Sequence, residues 1–287
     1  MENRHIPESE LILNPDGSIY HLHLKPEHLA SFVFTVGDPD RVPLVSQYFD
    51  QIDFKIKKRE FVTHTGWKND KRLTVMSTGM STDNIEILLT ELDALVNIDL
   101  EQRRVKTEKT RLQIVRLGTS GSLQEDLHAG ELLVSEIAIG LDTMMAFYPH
   151  LSGNHDMADA IQRELDLSFL PYQAYADPEL LGKVEGQFVK GITLTCPGFY
   201  APQGRHVLLK PRMERMLERL AELNISGHRL TNFEMETAAY YALGELFGHQ
   251  MLSLNAIVAN RPLKKFDREA EKTVDTMIRT ALESFGF

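Results

Sequence analysis

One pattern recurs along the chain and limits what it can fold into: short β-branched or aromatic runs, each halted by a cluster of small residues. Phe32-Val33-Phe34-Thr35-Val36 stops at Gly37, and Leu73-Thr74-Val75-Met76-Ser77 stops at Thr78-Gly79. Leu112 to Leu117 runs into Gly118-Thr119-Ser120-Gly121, and Gly191 to Cys196 into Pro197-Gly198. Runs of this length and composition read as buried strands. Glu131 to Ile139 and Leu252 to Val258 read the same way. Between them lie helical patterns. Ile85, Leu88, Leu89, Leu92 and Val96 share one face, with Asp83 and Glu86 spaced as a capping box. Met213 to Leu223 and Glu234 to Leu246 are amphipathic, and residues 268–285 form a closing helix. Strands alternating with helices predict an α/β fold on a parallel or mixed sheet. Residues 1–18 are polar, contain Pro7 and Pro15, and read as a loose arm. The remaining residues, 19–287, contain no Pro/Gly/Ser linker and are expected to form one domain.

Charge and cysteine content narrow the function classes. Lys plus Arg is 31 against 41 Asp plus Glu, a net charge of −10. That field repels nucleic acid and anionic membranes, although a few converging arginines can still hold a small anion. No window approaches the ~20 apolar residues of a membrane helix. The polar N-terminus lacks a signal-peptide core, and the single cysteine, Cys196, suits a reducing compartment. A cytoplasmic protein is expected. Residues 101–110 are a charged stretch expected to be a solvated loop.

The small-residue loops are where chemistry is expected, since ligands of open α/β sheets bind beyond the carboxyl ends of the strands. Arg41, Arg116 and Arg261 sit at or near such ends. Arg116 lies inside an apolar strand, where a charge is costly unless partnered. Either a structural salt bridge or a phosphate clamp would explain it, and arginine's planar fork suits the clamp. Gly37-Asp38-Pro39-Asp40-Arg41 follows a strand, so its backbone N–H groups can face an anion. It matches neither G-x-x-x-x-G-K-[ST] nor G-x-G-x-x-G, so a small phosphate is favoured over a nucleotide tail. In Asn232-Phe233-Glu234-Met235-Glu236 the two acids either complement a helix dipole or accept hydrogen bonds from a vicinal diol. His21 and His23 alternate as on a strand but lack further metal ligands at suitable spacing. Cys196 has no activating neighbour and reads as a buried, inert thiol.

Six segments occur in the order seen in the nucleoside phosphorylase-I family, which the chain resembles from about Tyr20 to its C-terminus. They are Gly37-Asp38-Pro39-Asp40-Arg41, Lys58-Arg59-Glu60-Phe61, Ser77-Thr78-Gly79-Met80, Arg116 to Gly121, Phe233-Glu234-Met235-Glu236 and Val258-Ala259-Asn260-Arg261. Any one alone is weak; six in order are specific. The resemblance implies a central mixed sheet partly closed as a barrel and wrapped by helices. Phe199-Tyr200-Ala201-Pro202-Gln203-Gly204-Arg205 resembles the uracil-reading loop of the family's uridine-specific branch. Purine-specific relatives carry an Asp after the late strand, where this chain has Asn260-Arg261.

The activity so implied is reversible phosphorolysis of uridine to uracil and ribose 1-phosphate. The alternatives are purine nucleoside phosphorolysis, nucleoside hydrolysis on the same fold, and a non-catalytic nucleoside-binding module. Carried over, Gly37, Arg41, Arg59, Arg116 and Thr119 match the phosphate site. His21, Thr119, Met235 and Glu236 match ribose contacts. Gly121, Phe199, Gln203, Arg205 and Arg261 match the uracil end. Arg41, Arg116, Arg205 and Glu236 are the expected catalytic set. His21 and Arg59 act across subunits in the family, which implies at least a homodimer with shared sites; bacterial relatives form trimers of such dimers. Inorganic phosphate is the implied co-substrate, and no cofactor is required. A monovalent cation near Glu60 is implied at the dimer interface, although Met80-Ser81-Thr82-Asp83-Asn84 departs from the family's Gly-rich turn there. Pro262-Leu263-Lys264-Lys265 departs from the family's lid, and residues 1–18 and 101–110 are additions.

Overall fold

The structure, a computed structural model, describes residues 5–149, 151–225 and 227–287. In chain order the main elements are β1 (Phe32–Val36), α1 (Arg41–Ser46), β2 (Gln51–Lys58), β3 (Phe61–Lys68), β4 (Lys71–Ser77), α2 (Thr82–Asn97), β5 (Gln113–Ser122) and β6 (Leu132–Gly140). There follow α3 (Asp156–Leu165), β7 (Tyr172–Tyr175), α4 (Pro178–Lys183), β8 (Val189–Thr195), α5 (Met216–Glu222), β9 (Asn232–Glu234), α6 (Thr237–Phe247), β10 (Gln250–Asn260), β11 (Lys265–Phe266) and α7 (Ala270–Ser284).

These strands form one mixed sheet. β1 runs parallel to both β4 and β5, with Phe34 opposite Val75 and Val115. β2 and β3 extend the β4 edge as antiparallel hairpins. The other half closes on itself. β5 pairs with β10, β10 with β6, β6 with β8, β8 with β9, and β9 returns to β5. The α/β fold with a partly closed barrel, expected from the sequence, is therefore present. Closure removes the free edges that an open sheet would leave.

The closed ring has a polar lining that alternates with its apolar residues. Arg116 Nη1 donates to Asn255 Oδ1 (3.0 Å), and Asn255 Nδ2 donates to Ser135 Oγ (3.1 Å). Ser135 Oγ meets Thr193 Oγ1, Thr193 Oγ1 donates to Asn232 Oδ1 (2.9 Å), and Asn232 Nδ2 donates to Ser120 Oγ (3.0 Å). The series starts on β5, visits β10, β6, β8 and β9, and ends on β5 again. Every member is buried. Between these positions Leu254, Val134, Leu194 and Phe233 enter the two main apolar clusters. Period-two alternation puts one set on each face.

Several elements differ from the sequence expectations. The helix expected from Glu234 starts at Thr237, because Asn232–Glu234 pairs with β8 as a strand. The helix expected over 213–223 is confined to Met216–Glu222. β5 does not end at Leu117 but runs through both glycines to Ser122, held by β10 and β9. The capping box at Asp83 and Glu86 does not form. Ser81 is the N-cap, with φ 81°, and Glu86 instead accepts a hydrogen bond from the Tyr148 hydroxyl. His21 and His23 lie in a turn rather than a strand, and His23 adopts φ 57°. Of the N-terminal segment, Ile6 N–H donates to Arg103 O (2.9 Å), and the Arg103 guanidinium donates to Leu11 O (2.7 Å). That segment therefore lies against residues 101–110, where Arg104–Val105 pairs with Ile98–Asp99.

Asn255 touches the ring at two points, so it gives a test. Asn255→Leu strands one Arg116 N–H in a buried site and removes the donor that the Ser135 oxygen accepts from. It should lower unfolding stability by about 1–3 kcal/mol, read as a reduced urea midpoint with an unchanged slope.

Candidate active site

The deepest part of the site is built around Arg116. Its side chain, 6% exposed, lies between two buried carboxylates, with Nη2 2.6 Å from Glu236 Oε2 and 3.1 Å from Glu234 Oε2. Nη1 also donates to Ser253 Oγ (3.3 Å). Burial pulls the guanidinium pKa down, but Glu234 and Glu236 outweigh it and hold the group above its usual value. Burial pushes the Glu236 pKa up against the pull of Arg116. Glu236 Oε1 accepts the Ser81 N–H (2.8 Å), which ties the turn after β4 to the head of α6. Glu234 Oε2 accepts the N–H groups of Glu236 (2.9 Å) and Thr237 (2.8 Å), and its other oxygen accepts the Thr195 hydroxyl. Glu234 thus satisfies two N–H groups at the helix start and holds Arg116 at once. Of the two sequence accounts of Arg116, the salt bridge is present, and its fork is largely occupied by protein.

Arg41 lies beside this pair. Its Nη1 donates to Leu117 O (3.3 Å), and it makes no ion pair among the described residues. Burial, then the nearby Arg116 charge, hold its pKa below the ordinary value. A half-buried cation of this kind favours an anionic ligand. Gly37 is adjacent: a Cβ built on it would stand 3.5 Å from Gly79 O, so the turns after β1 and β4 touch. Thr119 and Gly121 follow on β5, and Met235 is half-buried between β9 and α6.

The far end of β5 carries a second cluster. The Arg261 side chain packs over Gly121, where a built Cβ would be 3.4 Å from Arg261 Cγ. Arg261 Nη1 donates to Gln203 O (3.1 Å), and Arg205 Nη1 donates to Gln203 Oε1 (2.7 Å). Arg205 Cζ sits 3.6 Å from the Phe199 ring centroid. Burial and then Arg261 lower the Arg205 pKa, and burial lowers that of Arg261. Neither arginine has a carboxylate partner among the described residues. Phe199 is 50% exposed while Gln203 is buried, so this cluster has an aromatic outer wall and a polar floor. From Arg116 to Gly121 is about 16 Å of extended strand, enough to span both ends of a nucleoside and its phosphate.

Asn260 is spent on structure. Its Nδ2 donates to the carbonyls of Gln124 (2.9 Å) and Leu127 (2.8 Å), and its Oδ1 accepts the Leu263 N–H (2.9 Å). Cys196 is buried, and burial pushes its thiol pKa up, as an inert thiol requires.

Two sequence-predicted residues stand apart. Arg59, exposed at the β2–β3 turn, places Cζ 5.7 Å from the Tyr20 ring centroid, and Tyr20 stacks edge-on against His21 at 4.7 Å. No hydrogen bond or ion pair among the described residues joins this group to Arg41, Arg116 or Glu236. Sequence reading weighed Glu234 as an acid at a helix start but not as a partner of Arg116, and it missed Glu91, whose carboxylate holds His21. A signal existed for Glu91, an acid on the apolar face of α2 between Leu88 and Leu95.

The family model of the phosphorylase superfamily matches residues 31–285, and the chain belongs to that superfamily of enzymes. It is similar to a uridine phosphorylase of Thermococcus kodakarensis, 29% identical over 90% of this chain and 83% of the relative. It is also similar to a DeoD-type purine nucleoside phosphorylase of Streptococcus suis, 27% identical over 92% and 97%. A solved Trypanosoma brucei nucleoside phosphorylase, described as showing uridine phosphorylase activity, superposes with a TM-score of 0.85. It is 31% identical, covering 96% of this chain and 99% of that one.

Two glycines differ in the space that a side chain would meet. A Cβ on Gly118 would stand 1.9 Å from Arg116 Nη1, whereas one on Gly37 meets only ordinary contact. Gly118→Ala should therefore dislodge the buried ion pair and cost about 3–5 kcal/mol in chemical denaturation. Gly37→Ala should cost less than about 1 kcal/mol in the same experiment.

Proposed function

We propose that this protein catalyses reversible phosphorolysis of uridine. Phosphate attacks C1′ as the C1′–N1 bond breaks, giving ribose 1-phosphate and a uracil anion that takes its proton from solvent. The observation that carries the reading is the Phe199, Gln203, Arg205 and Arg261 cluster. It offers a stacking face, an amide and unpaired cations to a base that leaves with negative charge. Arg205 and Gln203 stabilise that charge as it forms, which is electrostatic preorganisation and needs no strong acid. Where purine-specific relatives carry an Asp after the late strand, this chain has Asn260-Arg261, and the Asn260 amide is committed to backbone carbonyls.

At the other end, Arg41, with Gly37 and Thr119, receives phosphate. Arg116 orients Glu236 and adds positive potential on the side facing Arg41. Glu236 and Met235 meet the ribose, and Gly121 leaves room for Arg261 to support Arg205. Positioning and electrostatics account for the rate. Among the described residues no hydrogen bond or ion pair joins His21 or Arg59 to Arg41, Arg116 or Glu236, which supports their service to a second copy in a homodimer. Glu60 is the residue of this chain that would face a monovalent cation between copies, and no step depends on it.

The purine reading rests on the similarity to the Streptococcus suis enzyme. Initial rates with uridine, thymidine, 2′-deoxyuridine and inosine, with and without phosphate, separate the readings. Uridine cleavage that requires phosphate is expected; inosine preferred over uridine would establish the purine alternative, and phosphate-independent release a hydrolase. Arg205→Ala should cut kcat/KM for uridine by about 30- to 900-fold, corresponding to about 2–4 kcal/mol of transition-state stabilisation. An unchanged kcat/KM would remove the uracil assignment. Arg41→Ala should raise the KM for phosphate more than that for uridine in two-substrate kinetics.

A further inference from the structure

The Glu91 carboxylate, buried on α2, is used by none of the steps above, yet its partners are specific. Its Oε1 lies 2.6 Å from His21 Nδ1, and both oxygens accept the His21 N–H at 3.0 Å. Oε2 also accepts the Leu22 N–H (2.9 Å). The acid is 9% exposed at its side chain and His21 28%. A carboxylate only accepts hydrogen bonds, so the ring nitrogen facing it must carry a proton. With Nδ1–H pointing inward, Nε2 alone is left on the open side. Tyr20 braces the ring edge-on and lies under Arg59, so His21 and Arg59 are displayed together.

We infer that Glu91 is a positioning residue for substrate: it fixes the ring and tautomer of His21 so that Nε2 faces the nucleoside 5′-hydroxyl in a second copy's pocket. The inference rests on the phosphorolysis reading. In Glu91→Gln one oxygen becomes an NH2 group. If the remaining oxygen keeps the two backbone N–H groups, that NH2 turns to Nδ1 and forces the opposite tautomer, exposing Nε2–H. If instead it keeps Nδ1–H, the turn loses a backbone partner. A buried acid that merely caps residues 21–22 would affect all substrates alike. One that works through His21 affects only those carrying the 5′-hydroxyl.

The experiment measures kcat/KM for uridine and for 5′-deoxyuridine in the wild type, His21→Ala, Glu91→Gln and the double variant. The wild type should favour uridine by about tenfold or more, as expected for one hydrogen bond to a polar group. Each single variant should lower that ratio several-fold, and Glu91→Gln should lower it no further in the His21→Ala background. A wild-type ratio in Glu91→Gln, an equal loss on both substrates, or an additive double variant would overturn the inference while leaving the activity intact. A wild type that does not phosphorolyse uridine would overturn the underlying reading instead. A 15N spectrum of wild-type His21 needs no variant to fold. A protonated Nδ1 is expected, and an unprotonated Nδ1 overturns the inference.

Discussion

The ion pair between Arg116 and the two glutamates is the contact on which the others depend. A guanidinium inside a sheet survives only with close partners, and here Glu234 and Glu236 supply them from the junction of β9 and α6. That requirement fixes where β9 must pair and where α6 must begin. It requires glycine at position 118, over which the guanidinium lies. It also anchors the hydrogen-bonded series that runs round the closed ring through Asn255, Ser135, Thr193, Asn232 and Ser120. An unpaired member of such a buried network is costly, so the ring and the ion pair hold each other in place.

The site divides its charges by depth. At the inner end two cations meet two carboxylates, and of the two cations Arg41 makes no ion pair among the described residues. At the outer end Arg205 and Arg261 face each other and an aromatic ring with no acid among the described residues. The chain as a whole is acidic, so these unpaired cations are local exceptions to its field. Such local positive potential in a chain of net negative charge suits a small anion better than a long polyanion, which the whole chain's field repels.

The strands with continuous apolar runs were legible: Phe32–Val36 is as expected, and the strands around Val115, Ile139, Leu194 and Leu254 differ only at their ends. Their ends were hidden because pairing, rather than local composition, decides them. Gly118 to Gly121 look like a loop, but β10 and β9 hold them as strand. Glu234 looks like a helix start, yet β8 draws it into the sheet. The β2–β3 hairpin, mostly polar and half exposed, gave too weak an alternation to be seen, as did α3, β7 and α4. The residues of both clusters were legible through family motifs, whereas Arg116's dual commitment was not. Supporting residues such as Glu91 and Ser253 act through contacts that only folding creates.

Asn260 carries a consequence for how this end of the barrel tolerates change. Its amide is the clasp that fastens residues 124–127 and 263 around the end of β10. Exchanging it for an aspartate would set a carboxylate against the carbonyls of Gln124, Glu125 and Leu127, replacing attraction with repulsion. Change at position 260 therefore cannot proceed by that one exchange. The neighbouring backbone must first be rebuilt so that it no longer leans on the side chain, which makes the residue at this position a property of the loop's architecture.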